Sequence, residues 1–121
     1  ALHQAGFTSG HVLTAFNQQV LIAFVDGQPV AVLTYEDLEW KNELFIVIGY
    51  VSPAWRRRGI YRALWERLIE QARKLGRARI VGNTSVKNEA MQATMEALGR
   101  KAVAVIYEYE VEERSRNWGV V

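Results

Sequence analysis

The residues best suited to chemistry stand together in one stretch, Val51-Ser52-Pro53-Ala54-Trp55-Arg56-Arg57-Arg58-Gly59-Ile60-Tyr61-Arg62-Ala63-Leu64. Three successive arginines and a glycine join an apolar run to an amphipathic one. A tight turn between a strand and a helix leaves the first helical N–H groups without carbonyl partners, and the helix dipole adds positive potential there. Guanidinium groups beside such amides recognise phosphate oxygens. The stretch predicts a seat for a phosphorylated ligand, built from the amides around Arg57–Tyr61 and the arginine side chains.

Other chemistries are poorly supplied. There is no cysteine, so a disulfide framework, a thiolate metal site and a cysteine nucleophile are excluded. The only imidazoles, His3 and His11, lie near the N-terminus, and no metal is expected. Net charge is only +2, but nine of the fifteen basic residues fall between Arg56 and Arg79, opposed by Glu66 and Glu70 alone. Glu108, Glu110, Glu112 and Glu113 make the later chain acidic. A local basic cluster suits a polyanion; a solvated helix face explains it equally well. At 121 residues, half of them hydrophobic, the chain has the size and composition of one globular domain. Apolar runs such as Val20–Val25 and Leu44–Ile48 are far too short to span a membrane. With no signal peptide visible, a cytoplasmic setting is expected.

The elements that must position the turn follow from periodicity. Residues 11–18 form either a short helix capped by Ser9 or a strand. Val20–Val25 and Val30–Tyr35 flank Asp26-Gly27-Gln28-Pro29 as a hairpin, and the polar 36–42 stretch is expected to be a loop. Leu44–Val51 is apolar at nearly every position, predicting a strand buried on both faces, with Gly49 marking a bulge or a close approach by a ligand. Tyr61, Leu64, Trp65, Leu68, Ile69, Ala72 and Leu75 recur at helical spacing before Gly76. A strand over 78–83 completes a parallel βαβ unit, a helix runs from Glu89 to Leu98 after Asn88, and 102–113 forms a long last strand. The fold class is therefore α/β (α+β), a single domain with a mixed central sheet flanked by helices.

The turn, with Arg56, Gly59 and Tyr61 at its defining positions, resembles the cofactor signature of the GNAT superfamily of acyl-CoA-dependent N-acetyltransferases. Asn88 opening a helix that ends in Leu98-Gly99, and the hairpin around Asp26-Gly27, resemble two further elements of that family. The similarity covers roughly residues 20–112, in order. It implies that the amides of Arg57, Arg58, Gly59, Ile60 and Tyr61, with Arg56, hold the pyrophosphate of acetyl-CoA. It also implies that the pantetheine arm pairs with backbone near Gly49–Val51, Tyr50 included, that an amide near Val51 polarises the thioester, and that Asn88 faces the same cleft. An amine of a small-molecule or peptide acceptor would then attack directly.

Two positions depart from the family pattern. Met95 stands where a tyrosine acid is usual, and Val47 where a glutamate base is common. Glu43 and Tyr107 are the substitutes nearest to strand ends. The chain is thus expected to be an N-acetyltransferase. The alternatives are a CoA-binding module without catalysis and, ranked last, a nucleic-acid-binding domain stacking bases on Trp55 and Trp65. The last strand and Trp118 are the candidate surfaces for a homodimer.

Overall fold

The computed structural model describes residues 7–13 and 18–112. The tail from Arg114, with Trp118, and the N-terminal His3 lie outside the described residues. The chain divides into two compact units, residues 1–89 and 90–121.

In the first unit five strands follow sequence order across one sheet: β1 (Phe7–Leu13), β2 (Gln18–Val25), β3 (Gln28–Leu38), β4 (Glu43–Val51) and β5 (Arg79–Gly82). The first three pairings are antiparallel and β4–β5 is parallel, so the sheet is mixed as expected. Of the two readings of residues 11–18, the strand is correct for 11–13, since these pair with β2.

The β2–β3 turn forms at Asp26-Gly27, both at positive φ (49° and 80°), which matches the right-handed twist of a two-residue hairpin. The expected loop at 36–42 is corrected: β3 runs on to Leu38, pairing Glu36, Asp37 and Leu38 with Phe45, Leu44 and Glu43, before a 3-10 turn over Glu39–Lys41. Main-chain hydrogen bonds to β4 satisfy this segment's backbone whatever its side chains prefer.

Helix α1 (Ile60–Leu75) connects β4 to β5 and begins one residue earlier than its periodicity predicts. Gly59 (φ 80°) precedes it and Gly76 (φ 72°) ends it. Gly76 N–H bonds to the Arg73 carbonyl at 3.1 Å, and Arg77 N–H to that of Ala72 at 2.9 Å, the double closure that only a left-handed residue permits. Its apolar stripe, Ile60, Leu64, Trp65, Leu68 and Ala72, is buried. Leu21, Ala23, Leu33, Tyr35, Leu44 and Ile46 form the sheet's part of the same core. The helix packs on β2, β3, β4 and β5.

Helix α2 (Glu89–Ala97), in the second unit from Ala90 on, is followed by Gly99 at φ 84°. The expected last strand is corrected here. Residues 101–110 form neither helix nor strand, because alternation makes a strand only where a neighbouring strand accepts its hydrogen bonds. Among the described residues no helix is long and apolar enough to cross a membrane.

Candidate functional site: an open strand edge and a helix start

Strand β4 is paired with β3 along its whole length, but with β5 only from Glu43 to Ile46, opposite Arg79 to Gly82. The break coincides with a register shift between Thr34 and Tyr35. Thr34 faces Ile48 while Tyr35 faces Ile46, so Val47 is the extra residue of a bulge. A bulge bends and twists its strand. Beyond it, the backbone of 47–51 has no strand partner among the described residues on the side away from β3. The expectation of a strand buried on both faces fails here: Val47, Ile48 and Tyr50 are exposed.

The bulge also swaps which side chains meet the helix. Leu44 and Ile46 face α1 before it, and Gly49, opposite buried Leu33, faces α1 after it. A Cβ at Gly49 would stand 3.0 Å from Cε2 of Tyr61 and 3.6 Å from its hydroxyl. Gly49 is therefore not the bulge; its missing side chain makes room for the Tyr61 ring.

After Val51 the chain turns through Pro53–Trp55 and reaches the arginines. Arg56 donates from Nε to the Val51 carbonyl at 2.9 Å, with its guanidinium 5.6 Å from the Tyr50 ring centre. It braces the strand end against the turn. Arg58 lies 4.9 Å over the Trp55 ring. Arg57 is left-handed at φ 63° and Gly59 at 80°, so the backbone reverses twice within three residues. Such alternation gathers successive N–H groups on one concave side. The Gly59 carbonyl accepts the first helical bond, from Ala63 at 3.0 Å, and no side chain caps the helix. The helix itself thus offers no carbonyl to the N–H groups of Ile60, Tyr61 and Arg62. Among the described residues nothing lies within 4 Å of where a Gly59 Cβ would be, so none of them closes the surface in front of it. The Ile60 side chain is buried in the core, which limits its part in any site to its backbone.

The remaining basic residues have structural work. Arg62 and Arg67 pair with Glu66 and Glu70 along α1, Arg73 and Lys74 occupy its last turn, and Arg77 makes a two-pronged bond to Asp37 at 2.5 and 3.0 Å. That bond to Asp37 raises the Arg77 pKa. Trp65 is buried on the helix stripe and cannot stack on a base.

One expected residue is not held at this site. Glu43 is buried, but it begins β4 while the turn follows its end, about 25 Å away at the rise of a strand. Its carboxylate lies 3.6 Å from the Arg79 guanidinium. Tyr107 is 91% exposed within 101–110, so no strand positions it. Asn88 directly precedes α2, in a turn closed by its N–H to the Ser85 carbonyl at 3.0 Å. Sequence reading missed the Val47 bulge, which has no local signal, and the Tyr61–Gly49 contact, for which the glycine was a signal given another meaning.

Known structures share this fold. The chain is similar in structure to the aminoglycoside acetyltransferase AAC(6')-Iy bound to a bisubstrate analogue of CoA, with 20% identity, a TM-score of 0.70, and coverage of 79% of this chain and 70% of that one. An aminoglycoside acetyltransferase from an uncultured soil metagenomic sample, in complex with trehalose, gives 18% identity and a TM-score of 0.69, covering 78% and 66%. A further such enzyme from an uncultured soil sample gives 28% and 0.67, covering 82% and 69%. The chain thus spans 66% to 70% of the length of these structures. No curated protein sequence matches it. The family model for the GNAT acetyltransferases matches residues 4–99, which include the hairpin, the bulged strand, the arginine turn and α2. By that match, and with the sheet that the sequence led us to expect, the chain belongs to the GNAT acetyltransferase family.

Proposed function

We propose that the protein transfers an acetyl group from acetyl-CoA to an amine of a small-molecule acceptor. The observation that carries this reading is the continuity of two backbone surfaces. The strand edge at 47–51 runs directly into a turn whose concave amides begin an uncapped helix. A pyrophosphate fits the amides of Arg57–Arg62, with Arg57 and Arg58 adding charge, and an extended amide-bearing arm fits the strand edge as an added strand would. The open space at Gly59 leaves room for the phosphates. Acetyl-CoA supplies an activated thioester; an amine attacks its carbonyl carbon, the C–S bond breaks, and the thiol leaves with a proton. The chain's share is to hold the two reactants together and to offer an amide near Val51 to the carbonyl oxygen.

Similarity to aminoglycoside acetyltransferases points to a polyamine-like, cationic acceptor. Acetyl-CoA as donor carries with it a cytoplasmic setting. Calorimetry with acetyl-CoA tests the cofactor half: absence of binding at near-millimolar concentration would defeat the reading, and Arg58→Ala is expected to weaken binding. Release of free thiol in the presence of aminoglycosides, polyamines or peptide N-termini tests the transfer and sorts acceptors.

A CoA-binding module without catalysis is the second reading. It is favoured by Met95 in place of an acid and by Glu43 lying at the far end of β4. General acid–base help contributes about 10² to 10⁴-fold, so slow thiol release with tight binding would indicate this module.

A further inference from the structure

The Val47 bulge stands between the pairs Tyr35–Ile46 and Thr34–Ile48. N–H groups alternate in direction along a strand, so a bulge that slides by one residue reverses which amides face outward. Something must therefore hold it in place. From Pro29 to Leu33 β3 is entirely apolar, and its first hydroxyl, that of Thr34, falls opposite the bulge. Thr34 Oγ1 accepts the Ile48 N–H at 3.1 Å.

This bond fixes the direction of the amides that follow. Four residues on, the Ser52 N–H bonds to the Val30 carbonyl at 2.8 Å. The amides of Ile48 and Ser52 are thus both aimed at β3, and alternation aims those of Gly49 and Val51 the other way. On that side the pairing of β4 with β5 has stopped, at Ile46 and Gly82. The two outward amides lie two residues apart, about 7 Å along the strand. A bulge moved by one residue would turn the amides of Ile48 and Tyr50 outward in their place.

We propose that Thr34 is a positioning residue for the acyl donor: its hydroxyl pins the bulge at Val47 and so presents the Gly49 and Val51 amides to the pantetheine arm and its thioester. Thr34 acts through Ile48 rather than on the ligand. The inference rests on the reading that this edge and turn bind acetyl-CoA. The pyrophosphate seat at Arg57–Arg62 lies beyond the strand, so the role of Thr34 is confined to the arm.

Calorimetry with two ligands separates arm from seat: acetyl-CoA, and 3′-phospho-ADP, which is the headgroup of CoA without pantetheine. Thr34→Val keeps the shape and branching of the side chain but removes the acceptor. It should weaken acetyl-CoA binding about three- to tenfold, the range of one hydrogen bond, and leave 3′-phospho-ADP binding unchanged. Thr34→Ser restores the hydroxyl and should bind both ligands as the parent does. In the ligand-free chain the Ile48 amide should exchange faster in Thr34→Val than in the parent or Thr34→Ser, with the Ser52 amide unaltered. Undiminished acetyl-CoA binding by Thr34→Val would overturn the proposal and leave the acetyl-transfer reading standing. Equal losses for the two ligands would also overturn it, by showing a general loss of structure. A parent chain that binds no acetyl-CoA would defeat both.

Discussion

Tyr35 is wholly buried on β3, and burial, helped by the Asp37 carboxylate, pushes its hydroxyl from 10.0 up to about 12. The folded chain keeps this proton through a pH range in which the unfolded chain has released it. Stability therefore falls as pH climbs from about 10 towards 12, and is unaffected by this group below that window. Tyr35→Phe should flatten the alkaline limb, as read by urea midpoints on either side of pH 10. A limb of unchanged slope would locate the titration elsewhere. The Tyr61 ring against Gly49 gives a second test at the same scale. Gly49→Val forces atoms into the 3.0 Å gap and should cost about 1–3 kcal/mol of stability. Tyr61→Ala in the same chain should recover much of that loss, and a double-mutant cycle on denaturant midpoints measures the coupling.

At the scale of elements, α1 holds the turn in place through its buried stripe rather than its charges. Leu68 is fully buried beneath the sheet, and Leu68→Ala should cost about 2–5 kcal/mol by leaving a cavity. The Arg62–Glu66 pair on the opposite face is 3.6 Å apart with both side chains 64% exposed, so Glu66→Gln should change stability by less than about 0.5 kcal/mol. Equal losses for the two variants in guanidinium unfolding would refute this division. The helix was legible in the sequence because its period, its terminal glycines and its apolar stripe are all local. The strand at 36–38 was not, since its polar side chains signal a loop while its backbone bonds belong to β4. The last strand erred in the opposite direction: its alternation is clear, but among the described residues 101–110 pair with no strand.

For the molecule as a whole, a ligand bound only by the folded state adds to its stability by mass action. Acetyl-CoA at a hundred times its dissociation constant should stabilise the fold by about 2.7 kcal/mol, and Arg58→Ala should reduce the accompanying rise in Tm at the same ligand concentration. No rise at any concentration would remove the cofactor from the account. The family and the order of elements from the hairpin to α2 were already determined by the sequence: a glycine-closed hairpin, an arginine turn and a helix bounded by glycines are each written in residues a few positions apart. The tertiary structure decided where β4 parts from β5, which side chain fills the space at Gly49, and that Glu43 is braced by Arg79 at the far end of the strand. Turns and helices satisfy their hydrogen bonds with near neighbours in sequence, whereas a strand's edge, register and bulge are set by another strand many residues away.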